Sequence, residues 1–227
     1  MPATVVIELV GYREWTESIG DDREWVIQST QSQISKALHS IVKDWEGAAL
    51  PLRYDYEIVV LPYWVDVDRF ATELIRGLEG VVPTALKLRY CCGPIPDSLD
   101  NCVEGMPPKR CAADEVAVAH ADINFFTELT TYRGFYGAYV TALKLVANTA
   151  SMLVNDAVVQ YLGGDNLAAV TSPYKLGKVL DAILSFKGVK VGVGISTSPR
   201  KAFEAAARSL REIREGGRKE RVRITRV

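Results

Sequence analysis

The sequence predicts an α+β fold made by repeating one unit in tandem, with antiparallel sheets and helices packed on them. Three observations predict it. The order strand, helix, hairpin, helix, strand occurs twice along the 227 residues. Apolar positions recur near every 3.6 residues in the helical stretches and alternate in the strand-like ones. The step from the end of the opening strand to the hairpin tip is nearly equal in the two halves, 45 positions from Val10 to Asp55 and 43 from Asp122 to Asp165. Helices segregated to one face of an antiparallel sheet form the ferredoxin-like, or split βαβ, arrangement. The expected lobes are residues 1–93 and 111–227, with a linker over 94–110.

In the first half, residues 4–10 (TVVIELV) read as the opening strand, and Tyr12 and Trp15 lie in a loop after it. Residues 23–45 follow as a helix, because Ile27, Ile34, Leu38, Ile41, Val42 and Trp45 share one face. Residues 50–61 read as a hairpin around Tyr54-Asp55-Tyr56. Residues 67–78 form a second amphipathic helix with Phe70, Leu74 and Leu78 in register, and Gly80 stands just past its end. Residues 85–90 alternate apolar and basic, as a half-exposed strand does.

Prolines 94, 96, 107 and 108 and few apolar residues mark the next stretch as the linker. The second half then repeats the order: a strand at 116–122, a helix strongest over 136–153, a hairpin around Asp165, and a helix at 176–185. A strand at 189–195, a helix at 200–214 and a closing strand at 221–227 complete the chain.

Hydrophobic residues make up 48% and charged residues 24%, the balance of a globular protein, and the net charge of −1 gives no field that would recruit nucleic acid or an anionic membrane. No apolar run reaches the roughly 20 residues of a membrane span, and MPATVVIELV has neither a charged leader nor a cleavage site. A soluble cytoplasmic protein is expected. Cys91, Cys92, Cys102 and Cys111 lie close together without zinc-type Cys-x-x-Cys pairs. They read as reduced thiols with no assigned chemistry, and the alternative is a disulfide staple.

Chemistry concentrates in residues 158–170, VVQYLGGDNLAAV. Two apolar runs flank Gly163, Gly164, Asp165 and Asn166, a tight-turn signal that leaves Asp165 at the tip of two greasy strands. The strand over 116–122 ends on Asp122. Two carboxylates at the ends of neighbouring central strands suit hard cations such as Mg²⁺, in a two-metal site; the bland alternative is that both only cap turns. His120 shares a strand face with Asp122 and is either a partner that orients a metal-bound carboxylate or a core histidine. Arginines crowd the end of the chain, from Arg208 to Arg226. They form a solvated face unless one or two contact phosphate.

HADIN (120–124), YLGGDNLAA (161–169), GVKVGVGIS (188–196) and AFEAAARSLREIR (202–214) resemble archaeal GTP cyclohydrolase III. Weaker matches lie in VVIELVGYREWT (5–16), STQSQI (29–34) and RYDYEIVVL (53–61), so the resemblance spans nearly the whole chain outside the linker. It implies two palm-type domains in tandem, related to nucleotidyl and diguanylate cyclases. It implies an enzyme that opens the imidazole ring of GTP by hydrolysis and retains the formyl group. The outer two phosphates are lost, leaving a formylamino-pyrimidine ribonucleotide monophosphate. It also implies two Mg²⁺ per active site, a supporting monovalent cation such as K⁺, and a homo-oligomer.

Carried over residue by residue, the resemblance makes Asp122 and Asp165 the metal-binding and catalytic carboxylates. Asn124, Phe125 and Phe126 become the backbone cradle for the triphosphate, with Gly163, Gly164 and Asn166 beside the nucleotide and Arg214 near its outer phosphates. The first half departs from the family: Val10-Gly11 stand where the family carries Asp-Asn, and Tyr54-Asp55-Tyr56 where it often has Tyr-Asp-Asn. That lobe is therefore expected to hold a degenerate site. The rival readings are a nucleotidyl or diguanylate cyclase and a non-catalytic GTP-binding regulator.

Overall fold

The computed structural model describes residues 2–217 and 219–227, which form two compact units. The first comprises Met1–Gly93 with Ser98–Asp114, and the second Pro94–Asp97 with Glu115–Val227.

The first unit opens with strand β1 (Ala3–Val10), followed by helices α1 (Tyr12–Ser18) and α2 (Arg23–Lys43). Strands β2 (Ala48–Pro51) and β3 (Tyr56–Leu61), helix α3 (Val67–Leu78) and strands β4 (Ala85–Cys92) and β5 (Val103–Glu104) follow. The sheet order is β2-β3-β1-β4-β5, antiparallel throughout. Helix α3 begins where its apolar spacing predicts, because the Asp66 carboxylate accepts a bond from Arg69 N at 3.1 Å and caps the first turn. Its buried stripe of Val67, Phe70, Leu74 and Leu78 joins Leu38 and Val42 of α2 against Val5, Ile7, Val59 and Leu61 of the sheet. Truncating Phe70 or Leu74 to alanine in such a core costs about 3 kcal/mol.

Three expectations fail up to residue 114. Tyr12 and Trp15 lie on a short helix, not a loop; Gly11, at φ 74°, supplies the left-handed residue that starts it. The stretch 94–110 is not a free linker. β5 adds an edge strand to β4, and the cysteines read as reduced thiols are paired Cys91–Cys102 and Cys92–Cys111. Proline and polar composition signalled irregular backbone, and irregular backbone can still be tied down.

The second unit runs β6 (Val116–Ile123), α4 (Phe126–Met152), β7 (Val158–Gly163), β8 (Asn166–Thr171), α5 (Leu176–Leu184), β9 (Val189–Ser196), α6 (Pro199–Glu215) and β10 (Val222–Arg226). Its sheet order, β7-β8-β6-β9-β10, repeats the first unit's order strand for strand. Helix α4 starts ten residues before the expected 136, and Gly134, with φ 73° and ψ 161°, breaks it near that point. One pairing departs from the expected antiparallel sheets: β10 runs parallel to β9. A helix, α6, carries the chain between them, as a parallel crossover requires.

Each face of this sheet is covered. Ala117, Ala119 and Ala121 of β6 point with Val191 and Val193 of β9 into a core closed by Leu145 of α4 and Val179 and Ile183 of α5. Helix α6 lies on the opposite face and needs the glycines of GVKVGVGIS. A Cβ on Gly192 would stand 2.2 Å from Ala206 O, and one on Gly194 1.9 Å from Ala202 O. Residues 94–97 belong here too. Ile95 is buried, its N donates to Ser172 Oγ at 3.0 Å, and Ser172 N donates to Ile95 O at 3.1 Å.

Candidate active site

Strand alternation decides which way Asp122 faces. Ala117, Ala119 and Ala121 fill the core, so His120 and Asp122 point to the α6 side. Asp122 is buried and pairs across the sheet with Lys190 of β9. The Lys190 ammonium forms an ion pair with Asp122 Oδ1 and donates to Asn124 Oδ1 at 3.0 Å. Arg214, from the last turn of α6, reaches Asp122 Oδ2 at 3.1 Å. A buried carboxylate thus carries one cation on each oxygen, which offsets the cost of its burial.

Asp165 approaches from the neighbouring hairpin. Gly163 pairs with Asn166 across a two-residue Gly164-Asp165 turn, with Gly163 at φ 96° and Gly164 at φ 61°. Neither glycine would crowd a neighbour if it carried a Cβ, so positive φ, not close packing, calls for them here. Asp165 Oδ2 accepts a bond from Ile123 N at 3.2 Å and Oδ1 accepts one from Asn166 Nδ2 at 3.0 Å. Burial, and then the facing charge of Asp122, hold the Asp165 carboxyl above the usual carboxylate range.

The Asn166 amide has one remaining role to fill. Its Oδ1 lies 3.0 Å from His120 Nε2, so the neutral imidazole carries its proton on Nε2 and donates it. Burial pushes the His120 pKa down and favours that neutral form. His120, Asn166 and Asp165 therefore form one chain of hydrogen bonds that fixes the direction of the Asp165 carboxylate. His120 is thus a largely buried histidine with a satisfied ring, one hydrogen bond removed from Asp165 through Asn166.

After Asn124, whose N donates to Gly188 O at 2.7 Å, the exposed Phe125 takes a left-handed conformation, φ 58° and ψ 37°, and Phe126 begins α4. A bulky residue in that region is strained, and such strain clusters at functional sites. The opening N–H groups of the first segment of α4, which runs to the break at Gly134, lie beside the carboxylates, a location that favours anions. Asp122, Asn124, Asp165, Asn166 and Arg214 are thus gathered at one end of the sheet, with Phe125 and Phe126 starting the helix beside them. Lys190 escaped the reading of the sequence. Its signal was a lone lysine inside a strand of valines and glycines, VKVGVGIS, every residue of which is buried.

Asp122, Asp165 and Asn124 offer the oxygen donors that a hard divalent cation takes. Among the described residues no cluster of three or more His, Cys, Asp or Glu side chains could hold a metal ion. The two carboxylates can therefore anchor such an ion but not complete its shell.

The pattern of the family described as GTP cyclohydrolase III matches residues 1–97 and 99–226. The chain is 33% identical over 220 residues to the GTP cyclohydrolase III of Aeropyrum pernix, a match covering 92% of this chain and 90% of that protein. It is 29% identical over 225 residues to the GTP cyclohydrolase III of Saccharolobus solfataricus, covering 95% and 96%. Among solved structures, the GGDEF domain of a Pseudomonas aeruginosa protein aligns with 50% of this chain and 84% of its own, at a TM-score of 0.44 and 17% identity.

Proposed function

The chain belongs to the GTP cyclohydrolase III family, and from that premise we propose that its second unit carries the catalytic centre of a GTP cyclohydrolase. The reaction is hydrolytic opening of the imidazole ring of GTP, with the formyl group retained and the outer two phosphates released. The observation that carries this reading is the convergence of Asp122 and Asp165, from β6 and the β7–β8 turn, beside the start of α4.

Asp122 and Asp165, with Asn124 Oδ1 beside them, would hold Mg²⁺, which supplies a water that ionises near neutral pH and offsets the charge of the triphosphate. Two carboxylates leave a shell incomplete, phosphate oxygens and waters would fill it, and nucleotide and cation are expected to bind together. The opening N–H groups of α4 and the Arg214 guanidinium would bind those phosphates. His120, acting through Asn166, keeps Asp165 aimed at the site. A monovalent cation such as K⁺ and a homo-oligomer belong to the same reading.

The test is product analysis with GTP and Mg²⁺. Ring opening shifts the purine absorbance and a phosphate assay counts the groups released. A cyclase would leave the purine spectrum nearly unchanged, and a GTP-binding regulator would release nothing. EDTA should abolish turnover. Wild-type rates in both Asp122→Asn and Asp165→Asn would end the assignment.

A further inference from the structure

We infer that Lys190 is a resident occupant of the cation position: its ammonium holds Asp122 and Asn124 until a divalent cation and nucleotide displace it together. The inference rests on the metal-dependent reading above and deepens it.

Two oxygens two residues apart on one segment, Asp122 Oδ1 and Asn124 Oδ1, converge on a single nitrogen, Lys190 Nζ. They are oxygens of the kind that bind Mg²⁺ or Mn²⁺, and here a nitrogen cation sits on both. Lys190 is only 3% exposed and stands directly opposite Asp122 in the sheet, between the buried Val189 and Val191. Its stem is pinned, and its charge answers a carboxylate whose other ionic partner among the described residues is the half-exposed Arg214.

The first unit shows that a lysine at this register need not behave so. Lys87 stands opposite Glu8, yet it pairs with Glu104 at 2.7 Å and leaves Glu8 to Arg89.

An ammonium and a divalent ion cannot share the same two oxygens, so a metal binding alone must displace Lys190 and then face its charge. A triphosphate changes that balance, because its oxygens give the displaced ammonium a new partner. Lys190 thereby couples metal affinity to nucleotide, weakening the first in the absence of the second. It is a positioning residue, and its signature lies in binding, apart from turnover.

The experiment titrates Mn²⁺ by calorimetry into wild type, Lys190→Met and Lys190→Gln, with and without a non-hydrolysable GTP analogue. Melting is followed in parallel. Wild type should bind Mn²⁺ weakly alone and more tightly with the analogue. Both variants should bind Mn²⁺ alone more tightly than wild type by about tenfold, and gain less from the analogue. Without metal they should melt below wild type, and Mn²⁺ should raise their Tm more. If Met at this site prevents folding, the polar Gln variant carries the measurement. A cooperatively melting variant that binds Mn²⁺ alone no better than wild type overturns the inference. Failure of the underlying reading looks different: wild type takes up no Mn²⁺ even with the analogue, or Asp165→Asn leaves its uptake unchanged.

Discussion

The two sheets share one strand order, yet they differ in what covers them and in how they treat their acids. Between β9 and β10 the second unit has α6, which seals one face of its sheet and brings Arg214 to Asp122. Between β4 and β5 the first unit has a single 3₁₀ turn, with disulfides tying β4 to Cys102 before β5 and to Cys111 after it, and β5 returns antiparallel.

Register shows which residues correspond. Ile7 pairs with Glu57, two past Asp55, and Ala121 pairs with Leu167, two past Asp165. Ile7 therefore matches Ala121, and Glu8 matches Asp122; each faces a lysine, Lys87 or Lys190. Gly11 matches Phe125, and both are left-handed residues that start a helix. The first unit thus keeps a carboxylate at each position, Glu8 and Asp55. What differs is the setting: Asp55 pairs with the exposed Arg53 and the part-buried Glu8 with Arg89, and no counterpart of α6 lies between β4 and β5. A carboxylate pair becomes a candidate site here through burial and a covering helix, not through its presence alone.

The sharpest way to break this comparison is to neutralise the matched acids in parallel. Asp165→Asn should lower kcat/KM for GTP by at least about a hundredfold, while Asp55→Asn and Glu8→Gln leave it near wild type. Equal losses in steady-state assays would show that both units work.

Next in size is the helix-covered face. Gly194→Ala forces a Cβ against the Ala202 carbonyl, and should cost about 3 kcal/mol in denaturant melts, with no equivalent glycine in β4.

A third test concerns Glu57, on the core face of β3 with Val59 and Leu61. Burial pushes its carboxyl from 4.5 to about 7. The folded value lies above the unfolded one, so the stability of its neutral form is complete below pH 4.5 and is lost as pH rises through about 7. Glu57→Gln should match wild type at acid pH and exceed it by at most about 3 kcal/mol at pH ~8. Parallel melting curves across that range would show that Glu57 titrates normally.

The smallest effect pairs the two left-handed residues. Phe125→Gly should gain, and Gly11→Ala lose, about 1 kcal/mol of stability. A loss of GTP affinity in Phe125→Gly with stability gained would place that strain in the service of binding.

Element order was legible because apolar periodicity is local, and it located α3 to the residue. The correspondence of the halves was not. Counting from the turn tips set Val10 against Asp122, whereas register sets Val10 against Asn124. The first half carries 47 positions between Glu8 and Asp55, where the second carries 43 between Asp122 and Asp165. Extra residues in the intervening helical region leave no mark on pairing that a count could detect. Asp122 and Asp165 stood out because carboxylates ending apolar strands need a reason. Lys190 did not, since the partner that makes a buried lysine tolerable stands 68 positions away and appears only when β6 and β9 pair. Cysteine pairing was equally hidden, because thiol spacing alone does not show which sulfurs the folded β4 and its return bring together.

The segment 94–97 has a consequence for how this duplication could be taken apart. The chain enters the second unit at Pro94, leaves it after Asp97 and returns at Glu115, and the Cys91–Cys102 bond closes the loop that makes the excursion. No single cut therefore yields two whole modules. A fragment starting at Glu115 would leave the backbone N of Ser172 without the Ile95 carbonyl, and an apolar slot without its isoleucine. A fragment ending at Gly93 would lose both partners of its paired cysteines. Residues 94–97 lie between β4 and β5 in sequence and in the second unit in space.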